Sequence, residues 1–119
     1  GNNVFMDTKQ AAVSQQKGLS PKAMMLSSLA GCSGIDIVDI LKKMKITDYN
    51  LQIDVQGELT VEHPKYYKIV AVDYYFSGSK LDKKKCKRAV QLSVEKYCGV
   101  MEMFRKFARV KTQIHFQSS

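Results

Sequence analysis

The sequence has only three cysteines and two histidines, and these low numbers exclude several classes of protein. Disulfide-stabilised secreted domains carry more cysteines and an even number of them, so we do not expect one here. Neither His63 nor His115 stands at ligand spacing from another histidine or a cysteine, so we predict no metal site. Because no Cys-x-x-Cys pair occurs either, we expect free thiols and a reducing cytoplasm.

Long apolar runs and the common nucleotide and hydrolase motifs are also missing. No stretch approaches the roughly 20 apolar residues that would span a bilayer, and no basic-then-apolar leader is visible. We therefore expect neither a membrane segment nor a secretory signal. The sequence contains no glycine-rich phosphate loop and no Ser-His-Asp arrangement. Because 119 residues suffice for one hydrophobic core, we predict a single domain over residues 1–119.

Acidic residues are few, 11 against 19 lysines and arginines, which gives a net charge of +8. Much of the excess lies in residues 80–88. A basic balance is typical of nucleic-acid-binding proteins, and residues 66–76 place several tyrosines on one predicted strand. A lysine-rich run such as residues 80–88 is more often the solvated face of a helix, and aromatic residues in a strand are more often core residues. We therefore do not expect nucleic acid as a partner.

Ser20 and Pro21 predict the start of a long helix, since serine is a good N-cap and proline suits the first helical position. The helix is expected to run to about Met44. Its apolar arc is broad, which indicates burial on more than one side. The residues of this arc include Met25, Leu29, Cys32, Ile35 and Val38.

A second helix is predicted after Asp82, which can cap it, with a break near Cys98 and Gly99 and a shorter helix over residues 100–107. Three strands are predicted from alternating apolar and polar residues or from a high content of strand-forming residues, over residues 51–61, 66–76 and 110–116. The first two are expected to form a hairpin. Residues 4–6 are apolar and predict the end of another strand, and residues 8–18 predict a loop. This order of elements favours an α+β fold, and the surplus apolar helix surface favours a dimer.

Three cysteines are candidates for chemistry. Cys32 lies in the first helix between Gly31 and Gly34, which we interpret as thinning the helix so that the thiol can face a neighbouring helix and a small pocket. Cys98 is predicted at a helix N-terminus, where the helix dipole and Lys96 would lower its pKa. For both residues, packing as a small buried hydrophobe is the alternative interpretation. A redox pair of Cys32 and Cys98 is the plausible combination.

Two other groups are interpreted as incidental. Cys86 lies in the lysine-rich helix, and on one helix it would be roughly 18 Å from Cys98, too far for a disulfide. Asp36 and Asp39 are spaced so that they share a helix face, and we interpret them as two solvated carboxylates.

The sequence resembles the OsmC/Ohr family, and its YhfA-like branch in particular. The resemblance is carried by Ser20-Pro21, by LAGCSGIDIV over residues 29–38, by LKK over residues 41–43 and by AVQLSVEKYCGV over residues 89–100. It covers nearly the whole chain from Phe5. It implies an OsmC-like fold, with two long central helices packed on an antiparallel sheet in an intertwined homodimer, and N-terminal strands that are missing or truncated here.

The resemblance further implies a cytoplasmic redox protein of the oxidative stress response that reduces organic hydroperoxides by a two-cysteine mechanism. Cys32 would be the peroxidatic thiol and Cys98 the resolving thiol. No cofactor is implied, and the reducing equivalents would come from a dithiol, lipoylated proteins in some members. The site would lie at the subunit interface.

Two features depart from the peroxidase members of this family. They carry a glutamate just after the proline that opens the cysteine helix, and this glutamate holds an arginine over the thiolate. Lys22 and Ala23 stand at that place, and Arg88, Arg105 and Arg109 match no such arginine. The alternative function is therefore a non-catalytic redox-sensing or small-ligand-binding module.

Overall fold

The computed structural model describes residues 1–8 and 17–117, and within them the chain has the predicted α+β fold. A π-helical turn, Ser93–Tyr97, follows the second α-helix directly. The other elements, in chain order, are α1 (Pro21–Lys43), β1 (Asn50–Leu59), β2 (Tyr67–Ser77), α2 (Lys83–Leu92), α3 (Gly99–Arg105) and β3 (Arg109–Gln117).

The sheet has the order β1-β2-β3 and is mixed rather than antiparallel. The predicted hairpin of β1 and β2 is confirmed, with Asn50 opposite Ser77. However, β3 runs parallel to β2, with Ile69 opposite Arg109. The expectation of an antiparallel sheet is wrong for β3, because the helices between β2 and β3 carry the chain back to the end of the sheet where β2 begins.

The start of α1 confirms the sequence prediction. The Ala23 N–H donates to the Ser20 Oγ at 3.3 Å, and Pro21 occupies the first turn. One face of α1 is buried, and its residues follow at intervals of four: Leu29, Ser33, Ile37 and Leu41.

Burial on a second side of α1 is not seen within one chain. Ile35 is 73% exposed and Val38 49% exposed, although both belong to the apolar arc that the sequence predicts. Contrary to the sequence expectation, α1 is long and apolar enough to cross a membrane by length and composition. Within one chain, 22% of this apolar stretch is buried, including Leu29, which has no exposed surface.

The core lies between the sheet and the helices. Every second residue of β2 is buried, from Val70 to Phe76, including Tyr74. Cys86 is fully buried in α2, so its predicted place on the helix surface is wrong. The basic residues of α2 are exposed around it, which agrees with a solvated helix face: Lys83, Lys84, Lys85, Lys87 and Arg88.

The region after α2 breaks where the sequence predicts. The π-helical turn ends at Tyr97, and Cys98 caps α3, the shorter predicted helix. Near the N-terminus, residues 4–6 do not form the predicted strand: Met6 makes an isolated bridge with Leu19. Most of the predicted loop over residues 8–18 lies outside the described residues.

Candidate functional site

The structure brings Cys32, Cys98 and Asp36 together. The two Sγ atoms and a carboxylate oxygen of Asp36 all lie within 4.8 Å of one another. Cys32 is half-buried, whereas Cys98 is only 4% exposed. The cysteines come from distant parts of the sequence, α1 and the break before α3, so the fold alone accounts for their approach.

The break between the π-helical turn and α3 positions Cys98. Its N–H donates to the carbonyl of Ser93 at 2.8 Å, which closes the wide turn. Its Sγ accepts a hydrogen bond from the N–H of Met101 at 3.3 Å, so the thiol itself caps α3. Met101 and Phe104 anchor α3 in the core, and Cys98 therefore has a fixed direction towards α1.

The pKa of Cys98 is raised to about 11, mainly because the thiol is buried. The Met101 N–H lowers the pKa, while a hydrogen bond to Cys32 and the nearby charges of Cys32 and Asp36 raise it. The expectation of a lowered pKa is therefore wrong. The helix N-terminus is present as predicted, but burial outweighs it, and Cys98 holds its proton at neutral pH.

A chain of buried hydroxyl groups leads from the sheet to the cysteine pair. The Tyr74 hydroxyl lies 2.7 Å from the Ser33 Oγ, and the Ser33 Oγ lies 3.0 Å from the Ser93 Oγ. Ser93 donates at 3.2 Å to the Ser33 carbonyl and at 3.4 Å to the Asp36 Oδ2. Burial raises the pKa of Tyr74 to about 12, so its proton stays in the chain.

Asp36 is the site residue that the sequence interpretation missed. It stands four residues after Cys32, and this spacing places both side chains on one face of α1. The interpretation as a solvated carboxylate agrees with the structure for Asp39, which is exposed and paired with Lys43 at 3.2 Å. It is wrong for Asp36, which is half-buried and accepts from Ser93.

A cavity of about 340 Å³ adjoins Asp36. Its wall combines apolar side chains with two carboxylates and one ammonium group, and the lining residues are Asp36, Asp39, Ile40, Lys43, Met44, Leu92 and Tyr97. This volume is at the small end of the range for ligand pockets in proteins. A small molecule with an apolar body can therefore occupy the space one helical turn from Cys32.

The two glycines that flank Cys32 serve a different surface. Gly31 and Gly34 line an open, mainly apolar groove of about 670 Å³ between α1 and β1, together with Ile35 and Val38. A Cβ on Gly34 would lie 3.1 Å from the Ile53 side chain, whereas one on Gly31 would meet open space. Cys32 faces Cys98 at the start of α3, a neighbouring helix, as the sequence interpretation expects, but it lines neither this groove nor the cavity beside Asp36.

The basic residues considered in the sequence do not reproduce the expected arginine at the thiol. Arg105 donates to the carbonyl of Val94 and lies 3.4 Å from Glu102, which ties α3 to the π-helical turn. Lys22 is exposed in the first turn of α1. By donor type, the two thiols and Asp36 resemble a zinc ligand set, although the sequence predicted no metal site. Two sulfur atoms at this separation also suit thiol–disulfide chemistry after a small movement.

Comparison with known proteins agrees with this architecture. The family model described as OsmC-like protein matches residues 14–113. Protein YhfA of Escherichia coli K12 is 32% identical over 110 residues, which cover 92% of this chain and 79% of YhfA. A hypothetical protein from Aquifex aeolicus VF5 has 33% identity and a TM-score of 0.79, covering 87% and 78%. The organic hydroperoxide resistance protein OhrB of Bacillus subtilis shares the fold, with a TM-score of 0.61, 21% identity and coverage of 87% and 76%.

Proposed function

The chain belongs to the OsmC-like protein family, and from that premise we propose that it reduces organic hydroperoxides with two cysteines. Cys32 is the peroxidatic thiol and Cys98 the resolving thiol. The observation that carries the proposal is the approach of both sulfurs to within 4.8 Å, with Cys32 half-buried and Cys98 buried behind it.

The difference in burial supports this division of roles. A peroxide reaches the half-buried Cys32 more easily than Cys98, which is 4% exposed. The reactive form of a thiol is the thiolate, and the pKa of Cys98, about 11, keeps that residue protonated at neutral pH. Cys32 therefore reacts first, and Cys98 acts on the product of that reaction.

The cycle has three steps, each balanced in atoms and electrons. The Cys32 thiolate attacks one oxygen of the hydroperoxide, the O–O bond breaks, and the other oxygen leaves as an alcohol after taking a proton. Cys32 is now a sulfenic acid. The Cys98 sulfur attacks the Cys32 sulfur, a disulfide forms and water leaves. A dithiol then reduces the disulfide by exchange and becomes a disulfide itself.

The substrate class is argued from the cavity beside Asp36. Its apolar residues, Ile40, Met44 and Leu92, favour a hydroperoxide with an apolar group over hydrogen peroxide. Asp39 is paired with Lys43 in the wall of the same cavity, and the remaining carboxylate, Asp36, disfavours a substrate with its own negative charge. Neutral alkyl or aryl hydroperoxides therefore suit it best.

We also propose that the protein is a cytoplasmic homodimer. Ile35 and Val38 are large apolar side chains on an exposed helix face, and the groove of about 670 Å³ beside them is mainly apolar, with Gly31 among the small residues that permit close approach. A second copy of the chain, placed on this face, would remove the apolar surface from water. This also provides the second buried side that the broad apolar arc of α1 predicts.

Peroxide consumption tests the proposal. We expect the protein to turn over cumene hydroperoxide with a dithiol such as dihydrolipoamide, and Cys32→Ser to abolish turnover. In the absence of the dithiol, which would itself reduce a sulfenic acid, Cys98→Ser should react once and stop at the sulfenic acid, which dimedone traps. Cys86→Ser is the matched control, because Cys86 is buried in α2, away from the pair, and should keep turnover. Equal rates for wild type and Cys32→Ser would refute the proposal.

The second candidate function is redox sensing without turnover. It is favoured by Lys22 and Ala23, which stand where the resemblance predicts a carboxylate for the peroxidase members. A sensor would form the Cys32–Cys98 disulfide on oxidation and then hold it. The same assay separates the two functions: one equivalent of peroxide consumed per chain, independent of the dithiol, identifies a sensor.

A further inference from the structure

Asp36 is the carboxylate that lies beside both cysteine sulfurs. One of its oxygens is within 4.8 Å of each Sγ, and its Oδ2 accepts from the Ser93 hydroxyl at 3.4 Å. A negative charge here opposes ionisation of Cys98, so the carboxylate does not serve to stabilise a thiolate. A carboxylate beside a protonated thiol that must react can instead accept its proton.

We propose that Asp36 is the proton acceptor for Cys98 in the step that forms the Cys32–Cys98 disulfide. This inference rests on the proposed function and specifies how its second step proceeds. As the Cys98 sulfur bonds to the Cys32 sulfur, its proton passes to Asp36. The S–O bond of the sulfenic acid breaks, the hydroxyl leaves, and Asp36 returns the proton so that water departs.

The hydroxyl chain gives Asp36 a fixed position for this transfer. Tyr74 is fully buried, and its hydroxyl shares a hydrogen bond with the Ser33 Oγ at 2.7 Å, which in turn lies 3.0 Å from the Ser93 Oγ. The Ser93 hydroxyl has two acceptors, the Ser33 carbonyl at 3.2 Å and the Asp36 Oδ2 at 3.4 Å. The hydroxyl chain thus links the Asp36 carboxylate to buried groups of the core and holds it beside the two sulfurs.

Other charged groups near Asp36 are less suited to the transfer. Its cavity also contains Asp39, Lys43 and the ring of Tyr97. Asp39 and Lys43 pair with each other at 3.2 Å and are exposed. The ammonium group of Lys43 is an acid rather than a base at neutral pH. Asp36 is therefore the group with both the chemistry and the position to take the proton.

Reaction with Ellman's reagent isolates this step from peroxide chemistry. Cys32 attacks the reagent and releases one thionitrobenzoate, and Cys98 then attacks the mixed disulfide on Cys32 and releases the second. The rate of the second release measures attack by Cys98. Cys98→Ser should show the first release only. The assay needs no turnover of hydroperoxide, so the inference about Asp36 can hold even where the proposed function fails.

We expect Asp36→Asn to slow the second release by about 100-fold at pH 7, the scale of general base catalysis. The wild-type rate should be nearly constant between about pH 6 and 9, because the base is part of the protein. In Asp36→Asn the rate should rise about tenfold per pH unit, since Cys98 must then ionise unaided below its pKa, which burial still raises. Asp36→Glu should restore the flat profile.

Asp39→Asn is the matched control, because Asp39 lies on the same helix but is exposed. It should leave both the second rate and its pH dependence unchanged. If Asp36→Asn slows the second release by the same factor at every pH, the effect is purely structural and the inference is overturned. A second release in Asp36→Asn as fast as in wild type, or no second release in wild type, would overturn it as well.

Discussion

Oxidation of the reduced protein should join Cys32 and Cys98 and raise the free energy of unfolding. The bond would close a loop of roughly 65 residues, which lowers the entropy of the unfolded chain by an amount worth about 4 kcal/mol. Bond formation also brings two sulfurs that lie within 4.8 Å of each other to about 2 Å and disturbs the hydrogen bond from Met101 to Cys98. We therefore expect a net gain of about 2–4 kcal/mol.

Urea unfolding of the oxidised and reduced protein measures this gain directly. In thermal unfolding, the same gain should raise the melting temperature of a domain of this size by about 10–20 °C. Mass spectrometry of the oxidised protein should identify a bond within one chain between Cys32 and Cys98. The gain should vanish in Cys32→Ser and survive in Cys86→Ser. An oxidised protein that is no more stable than the reduced one, or a bond between chains, would refute the reasoning.

Three further predictions concern the hydroxyl chain and the exposed face of α1. Ser33→Ala removes the hydroxyl that the buried Tyr74 hydroxyl contacts, whereas Ser93 keeps the backbone carbonyl of residue 33 and Asp36 as acceptors, and the change should cost about 1–3 kcal/mol of stability. In the Ser33→Ala protein, Tyr74→Phe should lower the free energy of unfolding by less than it does in wild type. A double-mutant cycle measured by urea unfolding checks this. The pKa of Tyr74 rises from 10.0 to about 12 on folding, so its contribution is complete below pH 10 and is lost towards pH 12. Stability should therefore fall over this range, and less steeply in Tyr74→Phe. Gly31→Leu places a side chain in the open groove and should shift the proposed homodimer towards monomer in light scattering, whereas Lys22→Leu should not.

Local sequence patterns predicted most of the elements because their signals are strong at short range. Ser20 and Pro21 mark the start of α1, and the alternation in β2 is clear. A period of two says nothing about strand direction, so the parallel pairing of β3 was not predictable from residues 110–116. The apolar stripe of α2 through Ala89 and Val90 is visible in the sequence, but the lysines around Cys86 concealed that this residue belongs to the same buried stripe.

The candidate site was less accessible to sequence reasoning because it depends on tertiary burial. Cys32 and Cys98 are distant in sequence, and they were paired only by setting Cys86 aside and by the resemblance to a family, not by any signal of contact between them. The sign of the pKa shift of Cys98 could not be predicted, because a helix N-terminus and burial act in opposite directions and the sequence does not give burial. The spacing of Asp36 from Cys32 was visible, but it has meaning only once Cys98 is known to pack on that face.

The position of Asp36 changes what the absence of a glutamate at Lys22 and Ala23 implies for the reaction. At Lys22 and Ala23 the site lacks the glutamate expected to support activation of Cys32, yet Asp36 supplies a carboxylate from one turn after Cys32. A carboxylate there opposes thiolate formation at Cys98 and assists proton removal from it. If both proposals hold, the site favours rapid closure of the disulfide over rapid attack on peroxide. The first step would then limit the cycle, and little sulfenic acid would accumulate in wild type, whereas Asp36→Asn would accumulate it.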